Sequence, residues 1–265
     1  TLLDILQEQK VSKYSGGIYH KTQIDLTYNS NHIEGSRLTH DQTVDITAIE
    51  PSHHSMPLED ECVGIVFPVY AWAPPEKVVQ WCQKLARDIG QSQYVYSVCT
   101  YGGEAGDAMG CLAKALKPLK LHSTFGVLMP NNYMIGWELE TPEEVKALIE
   151  NAKTQLQGIA DKINDRQSCH EVSRGKMPVI KTALANYGFN KYGRTTKPFT
   201  VASTCNSCGR CAKECPTHTI QMNEGRPVWG SYCFQCLRCI NRCPKTAIDY
   251  GKKTIGRRRY TFPSY

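Results

Sequence analysis

The chain has 265 residues, room for one large domain or two small ones with a true core. With 41% apolar and 21% charged residues its composition excludes wholesale disorder and fibrous repeats. No run approaches the ~18 consecutive apolar residues of a membrane helix. The opening Thr1-Leu2-Leu3-Asp4 lacks the basic stretch before an apolar run that marks a secretory signal. A cytoplasmic protein is therefore expected. The formal charge of +6 hides an asymmetry: residues 1–190 carry 17 Lys/Arg against 22 Asp/Glu, a net −5, and residues 191–265 carry 14 against 3, a net +11. Thirteen cysteines are many for a reducing compartment, where cysteines at fixed spacing usually bind metal rather than pair.

In chain order, the first clear element is 62–67 (Cys-Val-Gly-Ile-Val-Phe), an unbroken apolar run stopped by Pro68 that suits a buried parallel strand. Residues 75–89 follow with Val78, Val79, Trp81, Cys82, Leu85, Ala86 and Ile89 at helical period behind a proline start. Strands are expected at 94–99 and 125–129, with a helix near 108–116 between them. Thr141-Pro142-Glu143-Glu144 opens a long amphipathic helix to about residue 163, with threonine as N-cap and glutamate three residues on. Strand and helix alternate, which predicts a doubly wound α/β sheet. Residues 174–197, with Gly175, Gly188, Gly193 and Pro198, read as a connection.

Ligands of such sheets bind outside the carboxyl ends of the strands. Two loops fall there. The first is the proline-stiffened 68–74 with Tyr70 and Trp72; the second is 100–107, with Thr100, Tyr101, Gly102, Gly103, Glu104 and Asp107. Each alone reads as a structural turn. Together, aromatic faces and accessible backbone suit a flat heterocycle with polar edges. Glu104 and Asp107 read either as solvated loop residues or as partners of such an edge. His53-His54 reads as surface, and Cys169-His170 as structural.

Eight of the thirteen cysteines fall between 205 and 243. They form Cys205-x2-Cys208-x2-Cys211-x3-Cys215-Pro216 and, seventeen residues later, Cys233-x2-Cys236-x2-Cys239-x3-Cys243-Pro244. This run, repeated, is the ligand pattern of a bacterial-type ferredoxin with two [4Fe–4S] clusters, in which the fourth cysteine of each run serves the other cluster. The expected sets are Cys205, Cys208, Cys211 and Cys243 for one cluster, and Cys233, Cys236, Cys239 and Cys215 for the other. Zinc normally takes two pairs of ligands across a loop, not triplets with a distant fourth. A segment this short is expected to have little core besides its clusters. Residues 219–222 and 247–250 read as strands or turns packed over them. Lys252, Lys253 and Arg257-Arg258-Arg259 have two readings: a solvated basic tail, or a contact for an acidic surface. Nucleic acid is not expected as a partner.

The residues 65–72 (Ile-Val-Phe-Pro-Val-Tyr-Ala-Trp), 100–107 and 129–133 (Met-Pro-Asn-Asn-Tyr), ahead of the cysteine runs, resemble the flavodoxin–ferredoxin fusion family over roughly residues 45–265. The resemblance implies an electron-transfer protein of anaerobic metabolism, with FMN beside Tyr70, Trp72, Thr100, Tyr101, Gly102 and Gly103. It also implies a flavodoxin-like domain over 45–170, a linker over 171–197 and a ferredoxin domain over 198–265. One departure stands out. The first strand and the Thr-Gly-Asn phosphate loop of flavodoxin-like domains are absent upstream of a strand at 44–49, which leaves a gap in the usual 2-1-3-4-5 order.

Residues 1–44 are similar instead to the start of Fic-domain proteins, where Ser-x3-Glu-Gly (Ser30 to Gly35 here) is an inhibitory helix motif. The Fic catalytic sequence is missing, so nucleotidyl transfer is not expected. These residues are either an unrelated leader or, with 24–28 as a replacement strand and 29–31 as an altered loop, part of the sheet. The expected function is single-electron relay through two [4Fe–4S] clusters, to or from FMN and a redox partner with an acidic surface. The alternatives are a flavin-dependent oxidoreductase acting on a small molecule and an iron–sulfur interaction module without flavin.

Overall fold

The structure is a computed structural model that describes residues 62–88 and 94–261. The expected strand at 44–49, His53-His54 and both readings of residues 1–44 lie outside the described residues. The described residues form two compact units: the first comprises residues 62–88, 94–129 and 142–186, the second residues 130–141 and 187–261.

The first unit is a four-stranded parallel sheet in the order β1-β2-β3-β4: β1 is Cys62–Pro68, β2 Tyr94–Tyr101, β3 Ser123–Leu128 and β4 His170–Glu171. The helices are α1 (Glu76–Asp88), α2 (Ala108–Ala115), α3 (Pro142–Asn164) and α4 (Pro178–Gly188). Alternation along the strands sorts side chains between two faces. Val63, Ile65, Phe67, Val95 and Cys99 pack against Val78, Cys82 and Leu85 of α1 and Leu112 of α2. Val66, Tyr96, Val98, Phe125 and Val127 pack against Ala152, Ile159 and Ile163 of α3. Helices thus cover both faces, as the alternating pattern predicts.

β3 begins two residues before its apolar run. Ser123 and Thr124 are buried there but satisfied: the Ser123 hydroxyl donates to the Gln167 carbonyl, and Thr124 Oγ1 meets His170 Nδ1 at 3.1 Å. The Cys169 amide donates to Ser123 Oγ (3.1 Å), and His170 belongs to β4. The stretch 171–197 carries α4 and a π-helical turn, Phe189–Gly193.

In the second unit β5 (Phe199–Val201) pairs antiparallel with β8 (Ile248–Tyr250), and β6 (Ile220–Asn223) with β7 (Arg226–Trp229). Between them lie two single-turn helices, α5 (Arg210–Lys213) and α6 (Arg238–Asn241). Its core corrects the expectation that the clusters leave little else to bury. Met134, with no exposed surface, packs among Leu237, Ile240, Ile248 and Tyr250. Met134 comes from the loop between β3 and α3. Asn241 Nδ2 donates to the Asn132 carbonyl (3.2 Å), and Arg257 Nη1 to the Met134 and Trp137 carbonyls (2.5 and 2.9 Å). Arg259 donates to Asp249 (2.7 Å) and the Ile248 carbonyl (3.1 Å). Two of the three closing arginines therefore hold this unit together; Lys252, Lys253 and Arg258 are exposed.

Candidate metal centre

The two cysteine runs are built as a repeat offset by 28 residues. Ser207 and Gln235 share a left-handed backbone (φ 57° and 56°), as do Gly209 and Leu237 (70° and 55°) and His218 and Thr246 (both 49°). Each left-handed residue tightens the loop, so consecutive cysteines turn inward. Glycine supplies this conformation without cost only at Gly209. At Leu237 the strain is held by burial, since the side chain is 1% exposed. The amides that close the repeat also match, with His218 N–H on the Cys215 carbonyl and Thr246 N–H on the Cys243 carbonyl, both at 3.0 Å.

The cysteines of the two runs come together around two hollows. Cys205, Cys208, Cys211 and Cys243 line the first. Cys215, Cys233, Cys236 and Cys239 line the second, and Cys239 borders both. Among the described residues, no three His, Cys, Asp or Glu side chains converge as ligands of a single ion. A tetrahedral zinc needs donors about 2.0–2.3 Å from one point; these sulfurs stand around a space instead, which fits a polynuclear group.

Hydrogen bonding and charge fit such a group too. The Gln235 amide donates to Cys233 Sγ (3.2 Å) and the Ala247 amide to Cys243 Sγ (3.3 Å), as donors to thiolate ligands do. Trp229 Nε1, on the wall of the second hollow, is buried with no hydrogen-bond partner. Burial pushes the Cys236 thiol up to about 12 and Cys239 well above the ordinary thiol value, with the charges of neighbouring cysteines adding to the rise. Burial likewise raises Cys211 and Cys233. Four thiolates cannot share so dry a space without compensating cationic charge; bound metal supplies it and displaces the protons.

Sequence reasoning did not find a charge cluster that lines the first hollow and reaches the second through Arg238. Arg210, Glu214, Arg238 and Arg242 each immediately precede a cysteine of the runs. Glu214 is within 3.2 Å of Arg238, 3.0 Å of Arg242 and 3.7 Å of Arg210. The Arg238 side chain is only 4% exposed and lines both hollows. In a segment of net charge +11 these residues look like surface charges. The available signal was their position before the cysteines, where the spacing that turns the sulfurs inward turns their neighbours toward one another. Arg194 adds a cation beside the second hollow: its Nε donates to the Cys233 carbonyl (2.7 Å) and its guanidinium lies over the Tyr232 and Phe234 rings.

In the first unit, Tyr70 and Trp72 follow β1, Thr100 and Tyr101 end β2, and Gly102 and Gly103 follow it, so these six residues share the carboxyl edge of the sheet. Tyr70 and Trp72 are already engaged within the unit. Ala71 and Trp72 both adopt positive φ (47° and 63°) in a turn closed by paired Tyr70 and Ala73 amides. Trp72 Nε1 donates to Glu104 (3.2 Å), Lys181 pairs with Glu104 and lies over the indole, and Thr182 Oγ1 donates to the Trp72 carbonyl (2.9 Å). Asn186 Nδ2 donates to the Tyr70 carbonyl (3.3 Å). Asp107 is buried and pairs with Arg174, and Glu104, its side chain 28% exposed, pairs with Lys181. Gly102 and Gly103 are exposed; the glycine the loop requires is Gly106. Its φ is +64°, and an added Cβ would stand 2.5 Å from that of Trp72.

Residues 204–255 match the family model described as a 4Fe-4S dicluster domain. That supports iron–sulfur clusters and an iron–sulfur electron-transfer role. The match covers about a fifth of the chain, so it assigns this segment and not the whole protein. Neither curated proteins nor solved structures give a match. Among the described residues no helix is long and apolar enough to cross a membrane.

Proposed function

We propose that the protein is an electron carrier of the cytoplasm whose second unit holds two [4Fe–4S] clusters and exchanges single electrons with a redox partner of acidic surface. Cys205, Cys208, Cys211 and Cys243 hold one cluster; Cys233, Cys236, Cys239 and Cys215 hold the other. The observation that carries this reading is the grouping around the two hollows, in which each triplet shares its space with the last cysteine of the other run. Bound clusters supply reversible one-electron chemistry at potentials set by hydrogen bonds, burial and charge. The chain's part is to hold the cysteine sulfurs around the two hollows, to direct the Gln235 and Ala247 amides at sulfur, and to keep Arg238 as a buried cation that lines both. The partner's acidic surface follows from the charge of residues 191–265, of which Lys252, Lys253 and Arg258 are exposed.

The test is iron and sulfide content after anaerobic purification, with about eight of each expected for two cubanes, followed by Cys243→Ser. The substitution should disturb the cluster of Cys205, Cys208 and Cys211. An effect confined to the other cluster overturns the crossed ligand sets.

A second reading adds FMN at the sheet edge of the first unit, supported by Tyr70, Trp72 and Thr100 to Gly103 sharing that edge. Against insertion of a flavin ring stand the bonds that tie Trp72 to Glu104 and α4. Acid-released flavin, measured on the same preparation, decides it.

A further inference from the structure

Trp229 closes β7 opposite Ile220 and forms part of the wall that Cys215, Cys233, Cys236 and Cys239 complete. Its ring is fixed: it stacks on Phe199 with centroids 4.8 Å apart and planes 1° from parallel, and Phe199 meets Tyr250 edge-on at 5.0 Å. Tyr250 is anchored in turn by its hydroxyl on the Thr195 carbonyl (2.9 Å). A ring held this way does not turn to seek solvent. Yet its indole N–H is buried with no oxygen or nitrogen acceptor. The group next to it is the Cys239 side chain, on the wall of the same hollow.

Resting on the cluster assignment above, we propose that Trp229 is a potential-setting residue: its indole N–H donates to sulfur at the second cluster, and only there. Trp229 lines the second hollow and not the first, whereas Arg238 lines both. The pairing explains why the sequence places a hydrogen-bond donor, buried and unpartnered, where an apolar ring would pack as well. A donor to sulfur stabilises the more negative, reduced state, and so raises the potential of the cluster that it touches. Trp229 therefore makes the two sites unequal, with the second the better electron acceptor than its thiolates alone would make it.

The test is Trp229→Phe in the full-length, cluster-loaded protein. Phenylalanine keeps an aromatic surface against Phe199 and removes the donor. Iron and sulfide content comes first: a wild-type protein without clusters defeats the functional reading itself and is thereby told apart from failure of this one. With clusters present, an EPR-monitored redox titration should show one of the two potentials moving to lower values and the other unchanged. Trp229→His, which restores a ring N–H, should recover part of the shift. Two unchanged potentials, or equal movement of both, overturn the assignment. Should the variant load poorly, the wild type alone still decides: of the four indole N–H proton resonances, that of Trp229 should carry a hyperfine shift from the cluster, and four indole resonances all at diamagnetic positions overturn the assignment. A Trp229→Phe variant that loads and loses none of the hyperfine-shifted exchangeable signals overturns it as well.

Discussion

Replacing Met134 with alanine separates a loop that belongs to the second unit from one that merely passes it. Met134 has no exposed surface and fills the space between Leu237, Ile240, Ile248 and Tyr250. Truncating a buried methionine costs about 2–5 kcal/mol, more where the site cannot collapse. Here the walls are held by β8 and by the Arg257 bond to the Met134 carbonyl, which survives the substitution because it is made by the backbone. Arg259 loses the Met134 sulfur at 3.0 Å but keeps Asp249 and the Ile248 carbonyl. The loss is therefore mainly packing, about 3 kcal/mol, and at 1.4 kcal/mol per decade it corresponds to roughly a hundredfold larger opening constant. Hydrogen exchange on the loaded protein reads this region by region. Amides of β5, β8 and α6 should exchange about a hundred times faster, while those of β1 to β3 keep their protection. Unaltered protection at β8, or an equal loss in the parallel sheet, would refute the view that residues 130–141 are core of the second unit.

Three further outcomes follow from the two sites. Glu214→Gln leaves the 4%-exposed Arg238 without its carboxylate; breaking a buried pair this way costs about 3–5 kcal/mol, and the variant should lose iron to a chelator faster than wild type, with equal rates counting against a structural role. Gly106→Ala meets both a left-handed backbone (φ +64°) and the Trp72 Cβ at 2.5 Å, so the first unit should lose about 1–3 kcal/mol in urea unfolding, whereas Gly103→Ala, with open space around it, should cost little. Acid should weaken the first unit through Glu104, whose carboxyl is held below its usual range, first by the Lys181 hydrogen bond. A depressed value in the folded state means the contribution is complete above the unfolded pKa of about 4.3 and is lost as pH falls below it. Glu104→Gln should flatten the acid limb of a stability–pH profile, and an unchanged limb would exclude the Lys181 pair as its source.

Much of this architecture was legible because it repeats locally. The period of 62–164 places β1, α1, β2, α2, β3 and α3 within a few residues, since buried parallel strands and two-sided helices leave strong patterns. The cysteine spacing marks the metal centre for the same reason. What was not legible depends on partners far along the chain. Met134 is one apolar residue in a loop, and nothing near it announces Leu237 or Ile240 about a hundred residues later. Glu214 and Arg238 look like surface charges until the cysteine loops fold. At Trp72 a bulky residue takes a left-handed turn without a glycine to mark it, and Gly106 looked no more constrained than Gly102 or Gly103. α4 was read only as part of a connection because its Val179, Ile180, Leu184 and Tyr187 remain exposed, while the side chains that anchor it, Lys181, Thr182 and Asn186, are polar.

The stitching of residues 130–141 into the C-terminal half has a consequence for how the polypeptide is made. During synthesis Met134 leaves the ribosome roughly five to twenty seconds before Ile240, at 5–20 residues per second. Throughout that interval a fully apolar side chain that ends in the interior has nothing to sit against. Closing so long a loop is slow to reward but cheap to lengthen, because the entropic cost grows only with the logarithm of the span. The nascent chain can therefore finish its parallel sheet early, but the cysteine-bearing half cannot be completed by its own residues when it arrives. A gene fragment beginning at residue 198 would encode every cysteine of both runs and still lack a piece of its interior.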